Sequence, residues 1–166
     1  MPQAPSPRER FDRFVAAAQR GPSPDPPSPG AAANESLVRR YFEMWNTGDA
    51  SVAAAVLCAA YLDHAHPETL GPAAFRSLVP RYRAANPDAH MRIEIAASDD
   101  ELVAVRNTIS RTVSGVPVQS QGVALFRVAA GKLAEQWSCY PDAEGEADRS
   151  EITPPPSREA WLSFRA

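Results

Sequence analysis

The spacing of apolar residues changes once along the chain, from a helical period to a strand period. Up to about residue 85, apolar side chains recur as they do on one face of a helix. From His90 they recur at every second residue, as on a half-buried strand. The pattern therefore predicts helices followed by a sheet.

Three helices are expected in the first half of the ordered region. The first begins near Asn34, a good N-cap residue, and ends at Gly48, which can adopt the left-handed conformation of a helix stop. The second spans about residues 50–60 and is rich in alanine. The third covers about residues 72–85, with a bend expected at the internal Pro80.

Four strands in an antiparallel meander are expected next. Their approximate ranges are 90–95, 102–113, 118–128 and 132–140. The residues that would share one face of the second of them are Val103, Val105, Asn107, Ile109 and Arg111. This order indicates the α+β class, in which a cone-shaped, curved antiparallel sheet is packed by three N-terminal helices around a pocket.

Proline and charge distinguish both ends of the chain from its centre. Residues 1–33 carry dense proline and are predicted to form a mobile tail, and residues 34–142 are predicted to form the domain. Residues 143–166 are predicted to form an acidic, proline-rich C-terminal tail.

Composition narrows the functional classes. The 166 residues carry a formal net charge of −3, which argues against a nucleic-acid surface. No apolar run approaches the ~20 residues that span a bilayer, and no signal sequence is recognisable, so we expect a cytoplasmic protein without a membrane partner. The histidines, carboxylates and the two cysteines do not form a recognisable ligand set, and no metal is expected.

The stretch from Tyr61 to His66 is the candidate for chemistry, because it holds two of the three histidines and a carboxylate. His64 can exchange a proton near neutral pH, and Asp63 can orient it. A satisfied histidine at the start of a strand is an equally good interpretation of these residue types. Adjacent strand residues face opposite sides, so at most one of Asp63 and His64 should lie fully in the pocket. His66, beside Pro67, is expected to be a loop residue.

Several strings in this order resemble the SnoaL-like polyketide cyclases, which have the nuclear-transport-factor-2-like fold. Together they cover about residues 35–142. The strings are Val38-Arg39-Arg40-Tyr41-Phe42, Trp45-Asn46-Thr47-Gly48-Asp49, Leu62-Asp63-His64, Asn86-Pro87-Asp88, Val103-Ala104-Val105-Arg106, Leu125-Phe126-Arg127 and Gly131-Lys132-Leu133-Ala134-Glu135-Gln136-Trp137. The resemblance implies a shielded pocket for a small-molecule substrate and a homodimer packed through its sheets. It also implies intramolecular aldol ring closure without metal or cofactor or, in relatives, isomerisation, dehydration or epoxide opening.

The chain departs from this family at the acid–base pair. Aldol cyclases of the family carry a histidine on the third strand of the meander and an aspartate after the tryptophan of the fourth, and the aligned residues here are Ala124 and Ser138. Relatives commonly carry histidine before that tryptophan, where this chain has Gln136. The resemblance aligns His64 with the general base of isomerase relatives and Tyr41 with a cavity-facing tyrosine.

The resemblance, together with these residues, implies a cyclase or isomerase that uses acid–base catalysis on an apolar, polyketide-like intermediate of antibiotic or other secondary metabolism. His64 would take or relay the proton, Asp63 would orient it, and Tyr41 would donate to the oxyanion. The residues expected to bind substrate are Trp45, Asn107, Arg111, Phe126, Glu135, Ser138 and Tyr140.

Two other functions stay open from the sequence. Ala124 and Ser138 favour a non-catalytic ligand-binding or accessory protein of a biosynthetic pathway, one that has lost the acid–base pair. The proline-rich ends suggest a dimerisation module that carries interaction tails.

Overall fold

A computed structural model describes residues 28–140, in which helices precede a five-stranded sheet. The helices are α1 (Pro29–Thr47), α2 (Ala53–Val56) and α3 (Gly71–Ala85), with a 3-10 turn at Ala50–Val52 before α2. The strands are β1 (Leu57–Asp63), β2 (His90–Ser98), β3 (Leu102–Val113), β4 (Val116–Ala129) and β5 (Lys132–Cys139). Residues 1–27 and 141–166 lie outside the described residues, and they include most of the predicted N-terminal tail and all of the predicted C-terminal tail.

Helix α1 begins earlier than the sequence pattern predicts. Pro29 lies in its first turn, where a proline forfeits no helical hydrogen bond, and the Ser28 hydroxyl caps it by accepting from the Ala31 N–H at 3.0 Å. The predicted N-cap, Asn34, lies inside the helix, and its side-chain amide donates to a backbone carbonyl oxygen of the β2–β3 turn at 2.9 Å. Residues 29–33, predicted as the end of a tail, are therefore helical.

Strand β1 replaces the second half of the predicted second helix. The helix ends at Val56, and the chain continues as a strand that runs parallel to β5, with Leu57 opposite Leu133. Leu57 and Tyr61 are both fully buried in this arrangement. Pairing with a distant strand thus overrides the helix propensity of the alanines, and the sheet has five strands where four were predicted.

The sheet is mixed and open. Its strand order is β1-β5-β4-β3-β2, and every neighbouring pair is antiparallel except β1 with β5. The α+β class predicted from the order of elements is confirmed. Strand β3 has the predicted bounds, whereas β2 and β4 extend beyond theirs.

The two faces of the sheet have different surroundings. The inner face carries Val103, Val105 and Phe126, which form one hydrophobic core with residues of α1 and α3. The outer face carries Ile95 and Val123, and each of these side chains is 56% exposed. None of the helices in residues 28–140 is long and apolar enough to cross a membrane.

Candidate functional site

A cavity of about 480 Å³ lies between helices α1 and α3 and the inner face of the sheet. Its aromatic and aliphatic walls are Tyr41, Phe42, Trp45, Phe75, Leu78, Tyr82, Met91, Ile109, Val118 and Tyr140. Its other lining residues, all with polar or charged side chains, are Asp63, His66, Glu68, Thr69, Arg81, Arg111, Ser120, Gln136 and Ser138. A mostly apolar cleft with a few polar groups is typical of small-molecule sites.

Asp63 is the carboxylate of the cavity that the fold buries. It is the last residue of β1, and it is only 7% exposed. One carboxylate oxygen accepts from the Ala65 N–H at 3.0 Å, and the other lies 3.3 Å from the Nδ1 of His66. The turn after β1 therefore fixes the orientation of the carboxylate. His66 lies in a loop, as predicted, and it also lines the cavity.

Three tyrosine side chains surround this carboxylate. Burial raises the pKa of Tyr41, Tyr61 and Tyr140, and the negative charge of Asp63 raises each of these pKa values further. The Tyr61 hydroxyl donates to the Gln136 Oε1 at 2.7 Å. The tyrosines therefore keep their protons at neutral pH, and those that line the cavity, Tyr41 and Tyr140, can serve there as neutral hydrogen-bond donors.

His64 lies on the other side of the strand from Asp63. Its Nε2 is 2.9 Å from the Glu135 Oε2, and its ring stacks on Trp137 with centroids 4.4 Å apart and planes at 9°. Glu135 also accepts hydrogen bonds from the guanidinium group of Arg127. His64 is not among the residues that line the cavity. The alternation expected of a strand thus separates two titratable neighbours into two environments.

Tyr140 is held in place by its strand neighbours. Its hydroxyl donates to the Asn107 Oδ1 at 3.1 Å, and its ring packs over Gly122, where a Cβ atom would come within 2.2 Å of it. The absence of a side chain at Gly122 therefore lets the ring pack against β4. The Asn107 Nδ2 is buried without a hydrogen-bond partner among the described residues.

The structure brings together six of the ten residues that the sequence suggested for the site. The six that line the cavity are Tyr41, Trp45, Asp63, Arg111, Ser138 and Tyr140. The four that do not line it are His64, Asn107, Phe126 and Glu135. Phe126 is a fully buried core residue, and Asn107 lies behind Tyr140.

Sequence reasoning missed most of the helix α3 wall and the loop before it. Phe75, Leu78 and Tyr82 are apolar residues at helical spacing, a pattern that does not distinguish a core from a cavity wall. Thr69 and Glu68 gave no signal beyond their place in a loop. Among residues 28–140, no group of three or more His, Cys, Asp and Glu side chains is arranged to hold a metal ion.

Known proteins with this fold include several cyclases. A model of the SnoaL-like polyketide cyclase family matches residues 35–148. A SnoaL-like polyketide cyclase from Agrobacterium tumefaciens is 17% identical, with a TM-score of 0.57 over 68% of this chain and 93% of its own. TsrD from Streptomyces laurentii is 18% identical, with a TM-score of 0.59 over 69% of this chain and 91% of its own.

A third solved structure is also similar in fold. A protein from Catenulispora acidiphila with a ketosteroid isomerase-like fold is 17% identical, with a TM-score of 0.55 over 63% of this chain and 84% of its own. At these identities the likeness is one of fold. Among curated protein sequences, none matches this chain significantly.

Proposed function

The chain belongs to the SnoaL-like polyketide cyclase family, and we propose that it is a cofactor-free cyclase or isomerase that works by acid–base catalysis. The observation that carries this proposal is the buried carboxylate of Asp63 in the cavity wall, next to tyrosine hydroxyls that keep their protons. A carboxylate can take a proton from carbon, and a neutral phenol can stabilise an oxyanion. One cavity therefore holds both groups that enolisation requires.

In the proposed reaction, Asp63 takes a proton from a carbon next to a carbonyl group of the substrate. The Tyr41 hydroxyl donates a hydrogen bond to the carbonyl oxygen as negative charge develops there. In a cyclase the resulting carbanion attacks a second carbonyl carbon of the same molecule, and Asp63 returns the proton to the new alkoxide. In an isomerase the proton returns to a different carbon. Positioned proton transfer contributes about 10²–10⁴-fold to the rate.

This proposal moves the base from His64 to its neighbour Asp63. A general base must come within hydrogen-bond reach of the proton that it takes. Asp63 lines the cavity, whereas His64 pairs with Glu135 on the other side of the strand. The proposed site therefore stays at the end of β1, where the sequence placed it.

The walls of the cavity favour an apolar, polyketide-like intermediate as the substrate. Trp45 contacts Phe75 and Tyr82 edge to face, with ring centroids 5.8 and 5.3 Å apart. Such a wall presents ring faces and edges to a flat, conjugated molecule. The volume of about 480 Å³ lies within the range of about 300–1,000 Å³ that holds a drug-sized ligand.

A non-catalytic binding or accessory protein is the second candidate. It is favoured by Ala124 and Ser138, which lie directly opposite each other on β4 and β5. These are the positions that the family alignment assigns to the acid–base pair of the aldol cyclases, and neither side chain transfers a proton at neutral pH. A protein of this kind would bind the same intermediate without converting it.

A gene replacement distinguishes these two functions. The gene is deleted in the source organism and replaced by wild type, by Asp63→Asn or by His64→Gln, after both purified variants have been shown to fold. Mass spectrometry then follows the metabolites. We expect the Asp63→Asn strain to accumulate the precursor seen in the deletion strain, and the His64→Gln strain to form product.

Two outcomes would contradict the acid–base proposal as stated. Normal product formation in the Asp63→Asn strain would exclude Asp63 as the base. If the deletion alone changed the metabolites while both variants restored them, the binding function would be favoured instead.

We further propose that two copies of the chain associate through the outer face of the sheet. Four residues lie opposite one another across strands β2, β3, β4 and β5, namely Ile95, Arg106, Val123 and Cys139. The side chains of Ile95 and Val123 are more than half exposed. Exposed aliphatic residues on both sides of an arginine match the composition of protein interfaces, in which arginine is enriched and the centre is apolar. Sedimentation should give a dimer for wild type and a monomer for Val123→Glu, and a wild-type monomer would contradict the proposal.

A further inference from the structure

The cavity has a basic end that the proposed proton transfer does not use. Arg81 of α3 and Arg111 of β3 both line it, together with Tyr82. Burial raises the pKa of Tyr82, and the guanidinium group of Arg111 offsets part of this rise, so that group lies close to the phenol. Arg111 therefore lies beside Tyr82, and Arg81 precedes Tyr82 in α3, so both cationic residues line the cavity near this tyrosine.

Neither of these arginines is neutralised by the described part of the chain. Among residues 28–140, Arg81 and Arg111 form no ion pair with a carboxylate. Within the described part of the chain, the hydrogen bond of Arg111 is a long one, in which its Nη1 lies 3.4 Å from the neutral amide oxygen of Asn86. Arg83 differs, because it donates to backbone carbonyl oxygens at 2.5 and 2.6 Å. Arg81 and Arg111 therefore keep donors available for a ligand.

The acidic and basic groups of the cavity lie at its two ends. Asp63 ends β1, and Glu68 lies in the loop between β1 and the first turn of α3. Arg81 follows in the third turn of the same helix, on the order of 15 Å along the axis from Gly71 at a rise of 1.5 Å per residue. An anionic ligand group is therefore attracted to the arginine end and repelled from the Asp63 end.

We propose that the substrate carries a carboxylate, and that Arg81 and Arg111 bind it. The inference rests on the proposed function and adds the orientation of the substrate. With its carboxylate at the arginine end, the apolar body of the molecule lies along Trp45 and Phe75, and its other end comes next to Asp63. A planar guanidinium group forms paired, charge-assisted hydrogen bonds with a carboxylate, and Arg111 is half-buried, where such bonds are stronger than in open water.

A matched pair of probes tests the charge without changing the shape. The probes are 4-(2-naphthyl)butanoate and its primary amide, and isothermal titration calorimetry measures their affinities for the full chain. We expect wild type to bind the acid at least about tenfold more tightly than the amide. The preference for the acid should disappear in the double variant Arg81→Gln/Arg111→Gln. It should be kept in the single variant Arg111→Lys, which keeps the positive charge.

The control variant is Arg76→Gln, which removes an exposed arginine of the same helix that does not line the cavity. It should keep the preference for the acid. Equal affinities for acid and amide in wild type, binding of neither probe at millimolar concentration, or equal loss in Arg76→Gln would each overturn the proposal.

The titration tests the carboxylate of the substrate, and the gene replacement tests Asp63 as the base, so each proposal can be contradicted without the other. Asp63→Asn should keep the preference for the acid, because Asp63 lies at the other end of the cavity. If wild type lacked the preference but the Asp63→Asn strain still accumulated precursor, the proposed catalysis would stand and the carboxylate would be excluded. If the preference held but that strain formed product, the substrate class would stand without Asp63 as the base.

Discussion

Asp63 and His64 are neighbours in the chain, and the fold places them in opposite situations. Asp63 lies on the cavity side of β1, where its charge acts on neutral tyrosine hydroxyls. His64 lies on the other side, where it is stacked on Trp137 and paired with Glu135. The Asp63 carboxylate is held by Ala65 and His66 in the turn that follows it. The His64 imidazole contacts Glu135, which forms an ion pair with Arg127. The proposed function therefore assigns Asp63 to the substrate and His64 to the stability of the fold.

The polar groups that surround Asp63 also differ from those that surround His64. Around Asp63 the polar groups are phenols, whose neutral forms are favoured by burial. Around His64 they are Glu135 and Arg127, which form a charged network with low exposure at the carboxylate. Changes of pH and single substitutions should therefore affect the two clusters differently.

The largest expected effect is a loss of stability above pH 10, caused by the tyrosines. An unfolded tyrosine loses its proton near pH 10, whereas the folded Tyr41, Tyr61 and Tyr140 have raised pKa values and keep theirs. Their contribution to the free energy of unfolding is complete below pH 10. As the pH rises from 10 toward the folded pKa values, the free energy of unfolding falls by about 1.4 kcal/mol per pH unit for each tyrosine.

Urea unfolding at several pH values between 9 and 11 measures this slope. Tyr82, whose pKa is also raised by burial, adds to the slope, and Lys132 is the only lysine, so few groups other than the tyrosines titrate in this range. Tyr41→Phe removes one of the three phenols and should make the slope shallower. A free energy of unfolding that stays constant up to pH 11 would show that the tyrosine cluster is not shielded as described.

The next effect concerns the histidine cluster. His64→Ala removes the stacking on Trp137 and the contact with the Glu135 carboxylate, and it should lower the free energy of unfolding by about 1–2 kcal/mol at pH 7. The matched control is His90→Ala, because His90 is exposed at the start of β2 and should cost less than about 0.5 kcal/mol. Equal losses in the two variants would argue against a structural role specific to His64.

Much of the fold was predictable from local patterns. The apolar period changes between the helices and the meander, and the turns around β3 are marked by Asp99-Asp100 and Gly115, so β3 has the bounds that the sequence predicted. Strand β1 was not predictable in this way. Its alanines favour a helix, and the parallel pairing with β5 that makes it a strand is a contact between distant parts of the chain.

The place of the candidate site was predictable, but the orientation of its residues was not. Two titratable neighbours on a strand must face different sides, and the sequence does not fix which one faces the helices. That choice follows from the register of β1 on β5, where Asp63 lies opposite Gln136. The place of Arg81 was not predictable either. The sequence pattern around an exposed helical arginine is the same whether the residue lines a cavity or an open surface.

The smallest expected effect is the loss in free energy of unfolding caused by Asp63→Asn. It gives the closest comparison between the groups around Asp63 and those around His64. The amide oxygen can still accept from the Ala65 N–H, and the amide nitrogen can still form a hydrogen bond with the exposed His66 ring, so we expect a change of less than about 1 kcal/mol at pH 7. Glu135→Gln is the same chemical change on the outer face, where it removes the counter-charge of Arg127, and it should cost at least about 1 kcal/mol more. Urea unfolding of both variants checks this. If Asp63→Asn cost as much as Glu135→Gln, the Asp63 carboxylate would be a structural group like Glu135, and the contrast between the two clusters would not hold.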